Sequence, residues 1–207
     1  MDCPLCAAKG KDWQLCADSR RYYICAICDL VWLDPKQRLS GVLELERYHK
    51  HQNSSEDPSY LAYLSVLAKA TVSGLAPGSH GLDYGSGPVE GMRAILEPMG
   101  YRVDSYDPAF FPKQPRENYD FVLCSEVVEH FHKPALDWAR LAKLLKTGAR
   151  LGISSRLRVS AEEFSAWHYR RDPTHVSFFS EKSVIWISEH FGWKLLRLDS
   201  PIWIFSA

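Results

Sequence analysis

A chain of 207 residues suits one domain of ordinary size with a small appendage. Apolar residues make up 46%, too many for a disordered chain, and 25 basic residues balance 25 acidic ones, so no global charge draws it to nucleic acid or an acidic membrane. No run approaches the roughly 18 apolar residues of a membrane span and no basic-then-apolar signal opens the chain, so a cytoplasmic protein with reduced thiols is expected.

Cys3-Pro-Leu-Cys6 and Cys25-Ala-Ile-Cys28 are spaced as C-x2-C-x18-C-x2-C. Each C-x2-C makes a tight knuckle that aims two sulfurs at one point, and the spacing is that of a four-thiolate zinc site. "RRYYIC" (20–25) reads as the strand that returns the chain to the ion. A closed four-cysteine site has no open coordination position, so the zinc is structural and ties together a segment too short to bury its own core. Cys16 and Cys124 stand outside both pairs and read as small buried hydrophobes.

Leu39, Val42, Leu43 and Leu45 suggest a helix with a partly apolar face. A polar break over 51–58 follows, in which Ser54, Ser55 or Asp57 caps the next helix, "SYLAYLSVLAKATVSGL" (59–75). From residue 81 strands and helices alternate: strand "GLDY", helix 89–100, strand 101–107, the apolar strand "YDFVLCSE" (119–126), helix 134–148, strand 149–155, helix 180–192, strand 193–200 and a last strand "IWIFSA". Such alternation predicts an α/β doubly wound, mostly parallel sheet. The boundaries read as a zinc-binding module over 1–34, a helical linker or lid over 35–78 and a Rossmann-like domain over 79–207.

In such sheets ligands sit at the C-terminal strand ends, and the first strand-to-helix turn is the usual nucleotide site. Here that turn is "GLDYGSGPVEG" (81–91), where Gly85 and Gly87 let the backbone approach a ligand. Gly85, Gly87 and Gly91 make G-x-G-x-x-x-G rather than G-x-G-x-x-G, and Pro88 removes an amide, so a dinucleotide pyrophosphate is disfavoured. Asp107 ends the next strand 20 residues past Gly87, placed to accept hydrogen bonds from two ribose hydroxyls. Spacing alone leaves NAD and S-adenosylmethionine open.

"GLDYGSGP", "YDP" (106–108) and "YDFVLCSEVVEHF" (119–131), in this order, resemble the class I S-adenosylmethionine-dependent methyltransferases, and "WHYRRDPTHVSFFS" (167–180) resembles a late substrate-side segment of a compact bacterial branch. The likeness covers about residues 60 to 207. It implies that Asp83, Gly85, Ser86 and Gly87 border the methionine part of the cofactor, that Asp107 binds the ribose, that Pro108 lies near the adenine, and that Ser125 and Glu126 line the pocket near the sulfonium. Longer members carry a further strand and helices where this chain has only "PAFFPKQPRENY", so the sheet is expected to be short by one strand-helix unit, with Phe110 or Phe111 stacking on adenine.

Methyl transfer to a hydroxyl or amine is helped by a base, for which His130, His168 and His175 are candidates, His130 and His175 foremost. Glu126, Glu129 and His130 form E-x-x-E-H, with which some quinone O-methyltransferases hold magnesium, so a magnesium site there is an option beside the zinc. Arg156, Arg158, Arg170 and Arg171 are placed to hold an anionic acceptor, and Trp167, Tyr169, Phe178 and Phe179 to wall an apolar one; solvated surface and core packing are the commoner fates. The expected activity is methylation of a small-molecule acceptor. The rival readings are an RNA methyltransferase that docks RNA through its zinc module, which the zero net charge disfavours, and a non-catalytic interaction protein.

Overall fold

The computed structural model describes residues 1–16, 18–49, 54 and 57–207, with the side chain of residue 15 set aside. The chain opens with a hairpin sheet, β1 (Gly10–Leu15), β2 (Arg21–Cys25) and β3 (Val31–Leu33), followed by helices α1 (Gly41–Tyr48) and α2 (Pro58–Val72). Next come β4 (His80–Tyr84), α3 (Gly91–Leu96), β5 (Arg102–Tyr106), β6 (Tyr119–Ser125), α4 (Pro134–Leu144) and β7 (Leu145–Ser154). The last segment holds α5 (Ala161–Phe164), β8 (Ser177–Phe178), α6 (Glu181–Phe191), β9 (Lys194–Asp199) and β10 (Ile202–Ser206). Among the described residues no helix is long and apolar enough to cross a membrane.

Six strands form one sheet in the order β5-β4-β6-β7-β10-β9, parallel from β5 to β7 and antiparallel beyond. The expected α/β, mostly parallel architecture is therefore present. So is the shortening: β5 is the sheet edge, and no helix or strand separates it from β6. Twelve residues, 107–118, make this crossover, and at roughly 3.3 Å per extended residue they reach about 40 Å, enough to return along a strand without a helix.

Successive side chains of a strand point to opposite faces, and the buried clusters divide accordingly. Phe121, Leu123, Ile202 and Ile204 meet Leu64, Leu67 and Val72 of α2 and Met92 and Leu96 of α3. Val122, Cys124, Trp203 and Phe205 meet Trp138 and Leu141 of α4 and Val184 and Ile187 of α6. Gly152 lets α2 lie close on the sheet, since an added Cβ would run into Thr71. Asp57 caps α2 by accepting from Ser59 N at 2.8 Å, whereas Ser55, another expected cap, lies outside the described residues.

Helix α4 stops at Leu144 and not at the expected Gly148. Leu145 is already extended (φ −91°, ψ 138°) and pairs with Tyr119, because pairing with β6 and burial outweigh the helical periodicity of "RLAKLLK". Strand β8 is not expected from sequence. It pairs with β3, and a second sheet runs β1-β2-β3-β8. Cys16 and Cys124 are buried as expected.

Gly152→Ala is expected to lower the unfolding free energy by about 1–3 kcal/mol through overpacking against Thr71. Urea denaturation tests this; an unchanged midpoint would show that α2 is free to shift.

Candidate active site

The turn after β4 is built from backbone. Gly85 (φ +77°) and Gly87 (φ +66°) take left-handed conformations that side chains resist. Gly85 N and Ser86 N both donate to Tyr106 O, at 2.7 and 3.2 Å, tying the turn to the end of β5. A Cβ on Gly85 would lie 2.6 Å from Val127, so glycine also lets the loop after β6 close over the turn.

Asp107 completes the cradle. Its Oδ2 accepts from Gly87 N at 3.0 Å, and its Oδ1 from Ala109 N at 2.8 Å and Phe110 N at 3.2 Å. Each carboxylate oxygen has two acceptor positions, so Oδ2 keeps one for a ligand hydroxyl. Asp83 is buried beneath the turn, and burial, with the charges of Asp107 and Glu90, raises it to about 8.

These groups line a cavity of about 1360 Å³ at the C-terminal ends of β4, β5 and β6. Asp83, Gly85, Ser86, Gly87, Asp107, Pro108, Ser125, Glu126, His130 and His175, the expected site residues, all border it. Phe110 borders it too, whereas Phe111 turns back to bridge with Asp107 and lines a separate cleft with Pro88 and Arg93. Of the two phenylalanines expected beside adenine, Phe110 lines this cavity and Phe111 does not.

The far wall carries acids and imidazoles. Glu126 holds a positive φ (+52°), unusual for a side chain of its size, and accepts from Tyr63 OH at 2.8 Å. Burial, then Glu129, raises it to about 7. Glu129 is buried behind it and accepts from Tyr169 OH at 2.5 Å and Ser155 Oγ at 3.0 Å; burial raises it as well. His130 Nδ1 donates to Thr174 O at 3.0 Å and His175 Nδ1 to Tyr169 O at 2.7 Å, with ring centroids 4.8 Å apart. Burial lowers both imidazoles, His175 to about 4, where the neighbouring His130 adds to the effect. Both are therefore neutral near pH 7, with Nε2 left as an acceptor.

The expected magnesium trio does not assemble as such. Among the described residues, the donor atoms that gather within 4.8 Å belong to Glu129, His130 and His175, while Tyr63 engages Glu126. Two imidazoles and one carboxylate suit a softer divalent ion better than magnesium. At the N-terminus the sulfurs of Cys3 and Cys28 lie 3.6 Å apart and those of Cys6 and Cys25 3.4 Å apart. That spacing fits four thiolates about 2.3 Å from one tetrahedral ion. The two knuckles repeat one geometry. Ala7 and Asp29, each just after the second cysteine, are left-handed (φ 59° in both), and each donates its N–H to the first cysteine's carbonyl at 3.0 Å. A hydrogen bond from Cys28 lowers Cys3 to about 6, and Cys28 is pushed up in turn.

Of the four arginines, Arg156 and Arg171 border the cavity. Arg158 instead pairs with Asp29 at 2.7 Å, and the buried Arg170 with Asp18 at 2.7 Å. Trp167, Phe178 and Phe179 pack in the core; Tyr169 and His168 face the cavity. Sequence reading missed Tyr60 and Tyr63, which reach the cavity from one face of α2 three residues apart, a spacing legible as a helical stripe. The helix expected from Leu39, Val42, Leu43 and Leu45 is α1, which buries none of its residues and is held over the cavity by Glu44 to His132 at 2.7 Å and Arg47 to Asp172 at 2.9 Å.

Residues 6–198 match the family of the methyltransferase domain, and the chain belongs to it. The expected family is therefore the right one, and the chain is a methyltransferase. No curated protein matches it by sequence. The solved 1,6-didemethyltoxoflavin-N1-methyltransferase of Burkholderia thailandensis, which holds 1,6-didemethyltoxoflavin and S-adenosylhomocysteine, is similar with a TM-score of 0.55 at 14% identity, over 95% of this chain and 97% of that one. A cyclopropane synthase from Mycobacterium tuberculosis is similar at 0.53 and 18% identity, over 80% and 70%. A mitomycin 7-O-methyltransferase is similar at 0.52 and 16% identity, over 80% and 66%. At these identities the likeness is one of fold.

Asp83 yields a pH prediction. Its folded value of about 8 lies above the ordinary 3.8, so its neutral form favours the fold fully below about pH 4, and that contribution is lost as pH rises through 8. Stability from urea titrations is expected to fall between these limits, and Asp83→Asn to flatten the fall. Parallel profiles for the two proteins would show Asp83 ionised throughout.

Proposed function

We propose that this methyltransferase moves the methyl group of S-adenosylmethionine to a small-molecule acceptor, in a cytoplasmic protein whose N-terminus carries a structural zinc. The observation that supports this most is the convergence of the glycine turn, Asp107 and the imidazole-carboxylate wall on one cavity. Its volume, about 1360 Å³, exceeds the usual few hundred to 1,000 Å³ of a small-molecule pocket and suits cofactor and acceptor together. The similar 1,6-didemethyltoxoflavin-N1-methyltransferase holds two small molecules of these kinds in its own structure.

The residues fit the cofactor. Gly87 presents an open surface where a Cβ would project, Asp107 keeps an acceptor position for a ribose hydroxyl, and Phe110 offers a face to adenine. When bound, S-adenosylmethionine supplies a methyl group on a sulfonium whose leaving group is a neutral thioether. The protein's work is then to orient and to move protons. Ser125 and Glu126 would flank the methyl position. His130 or His175 would take the acceptor's proton at Nε2, each imidazole being aimed by its Nδ1–H bond to a backbone carbonyl. We assign 1–34 to the zinc module, 35–78 to a linker whose α1 covers the cavity, and 79–207 to the catalytic domain. Cys3, Cys6, Cys25 and Cys28 would hold the zinc.

Calorimetry with S-adenosylmethionine and S-adenosylhomocysteine tests the cofactor; no binding at millimolar ligand sinks the proposal. Asp107→Ala is expected to weaken S-adenosylhomocysteine about tenfold or more by removing the ribose acceptor and the anchor of Gly87. Equal affinity in the variant would exclude the ribose assignment. Metal analysis is expected to find about one zinc per chain, lost in Cys25→Ser. Zinc-free wild-type protein would refute the metal site.

A further inference from the structure

We infer that the four-cysteine hairpin is a positioning element of the acceptor side of the active site, acting through β8, and not an independent docking module. The inference rests on the methyltransferase reading of the cavity. Strand β8 has two residues, and its ladder is to β3: Val31 pairs with Phe178 and Trp32 with Ser177. So short a strand has no stability of its own, and a lone hairpin is marginal in water. What holds β3 therefore holds β8.

The segment leading into β8 is the one that carries the acceptor-side groups. Leu33 N donates to Val176 O at 3.0 Å, Val176 N donates to Glu129 O at 2.9 Å, and Ser177 Oγ donates to Phe131 O at 2.8 Å. Residues 176 and 177 are thus clasped between β3 and the loop of Glu129 and His130. His175 is the next residue back, and its ring is set by Tyr169 O. Tyr169 in turn donates to Glu129. The hairpin grips this stretch a second time: Arg20 donates to Arg170 O at 2.8 Å and Arg171 O at 3.3 Å. A third tie comes from Asp29, directly after Cys28, which pairs with Arg158. Tyr22, Val31 and Leu33 share one buried cluster with Phe164, Tyr169, Val176 and Phe178.

The cofactor half is built differently. Its turn hangs on Tyr106 O and Asp107, within the β4–β5 pair; the hairpin's cysteines join the buried cluster of Tyr84 and Tyr106 but, among the described residues, no hydrogen bond runs from the hairpin to the turn. Loosening the hairpin should therefore release His175 and Tyr169 while sparing cofactor binding.

Hydrogen exchange, S-adenosylhomocysteine calorimetry and diethyl pyrocarbonate labelling of His175 test this in the full chain. In Cys25→Ser, amide protection is expected to drop about tenfold or more over 21–33 and over 169–178, and His175 to become reactive. Amides of β4 and β6 keep their protection, and S-adenosylhomocysteine affinity stays within about threefold. Arg20→Gln leaves the thiols untouched and cuts the second grip; it is expected to raise exchange over 169–178, with partial rescue in Arg20→Lys. The inference is overturned if 21–33 opens while 169–178 and His175 keep wild-type behaviour. It is equally overturned if S-adenosylhomocysteine binding vanishes together with protection of β4 and β6, because the cysteines would then support the whole fold. If Cys25→Ser does not fold, Arg20→Gln alone decides, and unchanged exchange over 169–178 in it counts against the inference.

Discussion

Tyr106 O accepts from both Gly85 N and Ser86 N, and the carboxylate one residue later accepts from Gly87 N. Three successive amides of one turn are thereby held by the end of the neighbouring strand. The rest of the site takes its position from this junction. It sets the floor of the cavity, buries Asp83 beneath it, and leaves room for Val127 to close from β6. It also explains how a sheet lacking an outer strand keeps a formed site. The edge strand β5 is braced from inside, by the turn it helps to shape, and needs no strand beyond it.

Electrostatically the cavity is divided by depth. Deep groups sit toward their neutral forms, because a buried charge without compensation is costly: Asp83, Glu126 and Glu129 are raised, and His130 and His175 lowered. At the rim, charges are paired. Burial alone would raise Asp172, yet hydrogen bonds from Arg47 and Thr174 hold it well below the usual carboxylate range. Such a division suits chemistry in which neutral bases accept a proton inside while ion pairs hold the covering helix outside. Rim pairs of this kind contribute little stability each, and α1, with no buried residue, rests on them and on the contact of Tyr48 with His130.

Much of the site was legible because its determinants are local. Gly85, Gly87 and Asp107 announce a strand-turn-helix and the next strand end through residue type and spacing alone. The two cysteine knuckles do the same through a repeated four-residue pattern. Other features were illegible for the opposite reason. Nothing in "THVSFFS" signals that Ser177 and Phe178 pair with a strand about 145 residues earlier, since a two-residue strand has no periodicity to read. Arg158 and Arg170 looked like candidates for an anionic acceptor, and only the placement of Asp29 and Asp18 shows them committed to the N-terminal hairpin. Tyr63 lay in a helix that read simply as apolar.

By itself the sequence determined the α/β class, the shortened crossover, the cysteine knuckles and the shape of the cofactor turn, all of which follow from contacts between residues near in the chain or from a strict alternation along it. Tertiary structure alone decided which face of α2 looks into the cavity, that His175 meets His130 and Glu129, and that the cysteine hairpin shares a sheet with the strand that follows His175. Those pairings join residues far apart in sequence. Their energy comes from burial and from backbone hydrogen bonds that any residue type makes, so they leave little mark on the choice of amino acid.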